Sequence, residues 1–239
     1  MKLRIAIFFC VPLYITLLLT SAYAVDVYKI SELRGGKQVW FEAEAFDARD
    51  TASETTPNVG FKLVDAESNI ELPEGAFGDA IVNVNGNDSI WLLYNFDLSE
   101  VDGQAGTWYI WSREINPTNA SEFLWVMGDD GDEIPTVKPT FEIDDDRIFD
   151  ADTGPPWMWD RGNREGERKE LQEGENTMMI WYRQGNTSAL RDVFVWTNNS
   201  DYTPADIDYI EAQEIVIKPK SVKPSDKLTA TWGKIKGEF

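Results

Sequence analysis

The chain has 239 residues, with 42 Asp or Glu against 22 Lys or Arg, a formal net charge of −20, no histidine, and one cysteine, Cys10. Without histidine there is no Ser-His-Asp triad and no Cys/His zinc site, and a lone cysteine builds no disulfide framework. The acid surplus also excludes binding DNA or RNA by phosphate neutralisation. Residues 1–24 have the layout of a secretory signal peptide. Lys2 and Arg4 lead, an apolar run extends from Ile5 to Leu19, and Ala22-Tyr23-Ala24 sets small residues at the cleavage positions. The alternative, an uncleaved anchor, fits less well, because Pro12 interrupts the run and the run is shorter than the roughly 20 residues a span needs. No small-residue lipobox precedes Cys10, so lipidation is not expected. Cleavage removes Cys10, leaves 42 acids against 20 bases, and makes the protein secreted or displayed at the cell surface, with no membrane span in the mature chain.

Beyond residue 24 the chain carries 26 aromatic residues, all 10 tryptophans among them. They recur in short β-rich segments: Val39–Phe46, Ser89–Phe96, Thr107–Arg113, Glu122–Met127, Trp157–Trp159, Asn176–Tyr182 and Asp192–Thr197. Turn chemistry separates them at Asn85-Gly86-Asn87-Asp88, Asp102-Gly103-Gln104, Gly128-Asp129-Asp130-Gly131-Asp132 and Glu173-Gly174-Glu175-Asn176. No long 3.6-residue period competes. The pattern predicts an all-β fold, an antiparallel β-sandwich occupying residues 25–217 as one domain. Residues 129–170 are acidic and poorly patterned, apart from Thr140–Ile143 and the Trp157/Trp159 pair, and read as long loops at one end. Residues 205–217 fit either a short helix after Pro204 or a last strand. From Lys218 the composition turns to lysine and proline, a stiff solvated linker. The tail to residue 239, with Trp232, is either frayed or an attachment element.

Glu42-Ala43-Glu44 sets two carboxylates on one face of a strand. Two like charges held together favour a shared proton or a bound cation, and Ca²⁺ needs only hard oxygen ligands. So many acids produce such pairs by chance, so context has to decide. Asp129-Asp130-Gly131-Asp132-Glu133 and Asp144-Asp145-Asp146 lack EF-hand spacing and read as solvated turns.

The context is a set of motifs in order: Trp40-Phe41-Glu42-Ala43-Glu44; Gly106-Thr107-Trp108-Tyr109-Ile110-Trp111-Ser112-Arg113 followed by Asn116-Pro117 and Ser121-Glu122-Phe123; Trp157-Met158-Trp159; Leu171–Met178; and Asp192–Asn198 ending in Tyr202-Thr203-Pro204. Over about residues 38–205 this resembles the galactose-binding-like sandwiches of carbohydrate-binding module families 6 and 35. The resemblance implies a jelly roll with a structural Ca²⁺ held by Glu42, Glu44 and Asp192. Two departures stand out: Arg191 precedes Asp192 where the family has a small apolar residue, and Asn176 stands where it often has histidine. The resemblance also implies a carbohydrate partner. Sugar sites pair an aromatic platform with polar groups, which points to Trp157 and Trp159 with Arg113, Asn116, Asn119 and Asn186 on the loop rim, Arg183 lying near Asn186. Burial of Trp157 or Trp159 as packing residues is the competing reading. Trp91, Trp111, Trp125, Trp181 and Trp196 lie inside apolar strands and are expected in the core.

Three functions follow from different classes. A secreted non-catalytic carbohydrate-binding module leads. A carboxylate glycosidase or lyase on a jelly-roll scaffold would pair Glu42 with another acid, but no long catalytic insertion is identifiable. A structural or adhesion sandwich would lack a sugar site and use its tail for attachment.

Overall fold

A computed structural model describes residues 26–142, 146–149, 153–161 and 168–217. The leader 1–24, the tail 218–239, and Asp144 and Asp145 lie outside the described residues. In chain order come β1 (Asp26–Leu33), β2 (Gly36–Glu42), β3 (Ala48–Arg49), helix α1 (Thr51–Thr55), β4 (Phe61–Leu63), α2 (Val64–Glu67), β5 (Ile81–Asn83) and β6 (Trp91–Asp97). A 3-10 turn at Leu98–Val101 leads to β7 (Gly106–Asn116), β8 (Glu122–Val126), β9 (Arg147–Ile148) and β10 (Thr153–Asp160). The chain closes with β11 (Arg168–Leu171), β12 (Glu175–Trp181), β13 (Leu190–Thr197), α3 (Asp206–Glu211) and β14 (Gln213–Ile217).

The strands form two antiparallel sheets. Sheet A runs β10-β7-β13-β2-β1-β14, with β11 on β7 and β4-β5 on β13; sheet B runs β3-β6-β12-β8-β9. Successive strands cross between sheets (β6 in B, β7 in A, β8 in B, β12 in B, β13 in A), the jelly-roll habit. The β1–β2 hairpin turns on Arg34-Gly35, both at positive φ (53° and 80°), as a two-residue hairpin of right-handed twist requires. No helix among the described residues is long and apolar enough to cross a membrane.

Alternation of side chains along each strand gives the molecule three apolar layers. Between the sheets lie Val39, Phe41, Phe194, Trp196 and Ile110 from sheet A against Leu92, Tyr94, Leu124, Val126, Met178 and Ile180 from sheet B. The outer side of sheet A carries Trp40, Trp111, Val193 and Val195, covered by Tyr202 and Tyr209. The outer side of sheet B carries Leu93, Phe123, Trp125, Met179 and Trp181, with Trp91 and Phe141 at its margin. Of the five tryptophans expected in the core, then, only Trp196 lies between the sheets. Trp111 belongs to the outer side of A, and Trp91, Trp125 and Trp181 to the outer side of B, because odd-numbered residues of β6 and β12 face outwards.

Two expectations about irregular regions change. Residues 129–170 include strands: β10 extends β7 with Trp159 opposite Arg113, and β11 pairs with the other end of β7. Residues 205–217 hold both candidates, α3 and then β14, which pairs with β1.

Candidate functional site

At one end of sheet A's outer side, β2, β7 and β13 bring acids and one arginine together. Between Arg191 and Val193 the pairing of β13 with β7 slips, leaving Asp192 as the extra residue of a bulge. Arg113 Nη1 meets Asp192 Oδ2 at 2.5 Å, its Nε and Nη2 each donate to Asp206 at 2.9 Å, and Nη1 also donates to Gly75 O at 3.0 Å. Its guanidinium stands 4.2 Å from the Phe77 ring and 5.4 Å from that of Trp157. Phe77 N donates to both Asp192 oxygens at 3.2 Å.

Glu42 and Glu44 converge beside this knot. A Cβ on Gly78 would fall 2.2 Å from Glu44 Oε1 and 3.3 Å from Glu42 Oε2, so any other residue would push the Glu44 carboxylate from this place. Tyr209 donates its hydroxyl to Glu42 Oε1 at 2.7 Å, and Asp79 N donates to Glu44 Oε1 at 2.8 Å. Glu44 Oε2 is buried without a hydrogen-bond partner. Burial, together with the charges of Glu42 and Asp192, pushes Glu44 up to about 8. Burial likewise pushes Asp192 up to about 6, against the pull of Arg113. Among the described residues no three His, Cys, Asp or Glu side chains form a metal-holding group. What suits a hard cation is the Glu42–Glu44 pair, with its unpartnered buried oxygen, from which a cation would displace the proton that burial keeps on Glu44; Asp192, the third carboxylate, is already shared with Arg113.

The rim expected near Trp157 and Trp159 does not form. Trp157 is buried among Val64, Ala80, Val82, Ile115 and Leu190. Trp159 is half-buried, its ring 5.7 Å from Trp40 and its Nε1 donating to Asp206 Oδ1 at 3.0 Å. Both sit on sheet A's outer side, where the 64–80 segment and α3 cover them. Arg113 is buried in its ion pairs. Asn116 is buried too: its Oδ1 accepts from Ala120 N at 2.9 Å, and its Nδ2 donates to the carbonyls of Ala120 and Phe149 at 2.8 and 3.0 Å. These four are packing and bracing residues. Asn119 alone is fully surface-exposed, in a left-handed turn (φ 55°), while half-buried Asn186 donates to Thr118 Oγ1 at 2.7 Å and so ties the two loops together.

The aromatic side chain on sheet B that a ligand can reach is the half-buried Trp91; its neighbour Trp181 is only 1% exposed. Trp91 and Trp181 are direct partners across β6 and β12, with ring centroids 6.4 Å apart and planes at 46°. They floor an open cavity of about 670 Å³ whose rim is the turn Asn87-Asp88-Ser89 on one side and Thr136–Pro139 on the other. Trp91 is half-buried, and Val137, at 75% exposure, is the most open apolar residue of the rim. The volume falls in the roughly 300–1,000 Å³ range of small-molecule sites, and an apolar floor with a polar margin matches a sugar's C–H face and hydroxyl edge.

The wall over this cavity is anchored by acids that the sequence reading left to solvent. Lys169, buried on β11, meets Asp130 at 2.7 Å, Asp146 at 3.2 Å and Asp129 at 3.4 Å, pinning both ends of the 129–146 loop. Midway, Phe141 stacks on Phe123 at 4.7 Å and 5°, and Lys138 meets Asp88 at 2.7 Å. One signal for the site was present in sequence: Asn95, polar and exposed, shares the parity of Trp91 and Leu93 and marks that side of β6 as outward.

Comparison with known proteins gives structural likenesses only. No protein-family model and no curated protein matches the chain. Among solved structures, a GH26-CBM35 β-(1,4)-mannanase of Podospora anserina is 16% identical at a TM-score of 0.41, over 71% of this chain and 29% of that one. A family 35 carbohydrate binding module from Clostridium thermocellum is 12% identical at a TM-score of 0.41, over 68% and 98%. The C-terminal CBM6 of a marine laminarinase from Zobellia galactanivorans is 14% identical at a TM-score of 0.39, over 67% and 99%.

Proposed function

We propose that the chain is a secreted, non-catalytic carbohydrate-binding module whose site is the outer side of sheet B. The observation that carries the reading is the cavity floored by Trp91 and Trp181. It gives a sugar ring an aromatic surface to cover, and Asn87, Ser89 and Thr136 set exposed polar groups at its edge. The motif order of the sequence supports the same reading, and residues 1–24 support export. A structural calcium ion belongs to the proposal as well. Glu42 and Glu44 would hold it beside the Arg113–Asp192 pair; bound there, it would offset their like charges and would fix β2 to the 77–79 segment.

The test is retention on a polysaccharide panel by the protein and by Trp91→Ala, with reducing-end assays alongside. Retention without product, weakened about five- to thirtyfold in Trp91→Ala, is the expected result, since stacking a sugar on an exposed ring contributes on the order of 1–2 kcal/mol. Release of product, or binding indifferent to Trp91, would sink it.

A further inference from the structure

Resting on that reading of the sheet B cavity, we infer that its ligand is an uncharged glycan and that the Asp88–Lys138 pair sets this preference. The cavity lining contains one acid, Asp88, and one base, Lys138. Lys138 Nζ donates to Asp88 Oδ1 at 2.7 Å and to Tyr182 O at 3.0 Å, and it lies 5.0 Å from the centre of the Phe123 ring. Two of its three N–H groups thus have acceptors inside the protein, and its charge is already paired with Asp88. Arg183, two residues beyond Trp181 in the chain, donates to Ser121 Oγ at 2.6 Å and lies 5.9 Å from the centre of the Phe123 ring. A uronate or sulfate would therefore enter a cavity whose one basic lining residue among the described residues is already paired with an acid. It would also approach a chain of net charge −20. An uncharged pyranose chain meets neither penalty.

The pair is also a switch. Asp88 has 84% of its side chain exposed, so its salt bridge adds little to stability. Asp88→Asn leaves the turn's shape and releases the Lys138 ammonium towards the cavity, adding a cation where a uronate carboxylate would lie.

The experiment measures affinity-gel retention of the wild type, Asp88→Asn and Trp91→Ala on uncharged β-glucan, mannan and galactan and on polygalacturonate. Each is run at about 0.05 and about 0.5 M NaCl, a range over which exposed charges lose most of their reach. The expected outcome has three parts. The wild type binds an uncharged glycan with less than about twofold salt dependence. It leaves polygalacturonate unretained at either salt. Asp88→Asn gains polygalacturonate retention by about fivefold at low salt, the scale of one exposed ion pair. Wild-type binding of polygalacturonate as strong as that of the uncharged chains, sensitive to Trp91→Ala, overturns the inference while leaving the site in place. Binding of neither class, or binding untouched by Trp91→Ala with thermal melts showing a folded protein, overturns the site and the inference with it.

Discussion

Glu122 and Glu114 show how single residues here are governed by what surrounds them. Both are buried at the end of the inter-sheet core, and Arg191 meets Glu122 Oε2 at 2.6 Å and Glu114 Oε2 at 3.5 Å. Burial penalises the charged form of both carboxylates. Burial pushes Glu122 up to about 7 against the pull of Arg191, and pushes Glu114 well above its ordinary value. In the native state these groups keep a proton that the unfolded chain has released above about pH 4.5. The unfolded state then binds fewer protons, so stability falls as pH rises from about 4.5 through about 7. Urea midpoints should drop between pH 5 and pH 8, and Glu122→Gln should flatten the drop. An unchanged slope in that variant would show that Glu122 is ionised throughout. The same scale separates the tryptophans: Trp157 fills a buried niche beside Arg113, whereas Trp91, of identical chemistry, shows part of its ring to solvent.

At the scale of elements, the determining object is the 129–146 loop rather than any strand. Its described part has little regular structure, yet it is held at both ends by Lys169 and in the middle by Phe141 and Lys138. Burial lowers the affinity of Lys169 for its proton, but the three aspartates more than offset this and hold it above its usual range. Lys169→Met leaves the partly solvated Asp130 and Asp146 without their cation, a loss on the order of 1–2 kcal/mol, between that of an exposed and a buried pair. The variant should expose the 130–142 segment to protease and weaken glycan retention, because Thr136–Pro139 form one side of the cavity. A variant as protease-resistant as the wild type would show that the aromatic stack alone holds the loop. The bulge at Asp192 acts similarly for sheet A: one extra residue in β13 is what brings a carboxylate to Arg113 beneath α3.

Over the whole molecule, sheet A and sheet B enclose one core but differ in what covers their outer sides. Sheet A is capped by α3 and the 64–80 segment, with Glu42, Glu44 and Asp192 at the seam; sheet B is left partly open. An ion that ties β2 to the cap would stabilise the native state alone, by about 2.7 kcal/mol when present at 100 times its dissociation constant. Added Ca²⁺ should therefore raise the thermal midpoint, chelation should reverse the rise, and Glu44→Gln should abolish it; a midpoint indifferent to both would remove the ion. The sequence by itself determined the sandwich, because alternation and turn chemistry are local: Asp102-Gly103, Glu173-Gly174 and the Asn85–Asp88 run punctuate strands wherever those strands end up. That Glu42 and Glu44 converge was decided by the tertiary structure instead, because β2 ends at Glu42 and Ala45 N donates to Glu42 O in the turn that carries Glu44. Only the tertiary structure decided which apolar side faces the other sheet, which is roofed and which stays open. Trp157 and Arg113 are buried by residues 64–80, Asp192 and Asp206, and Trp91 is left open because the anchored loop stops short of covering it. Burial of this kind arises from contacts between segments far apart in the chain, and no local pattern of residues encodes them.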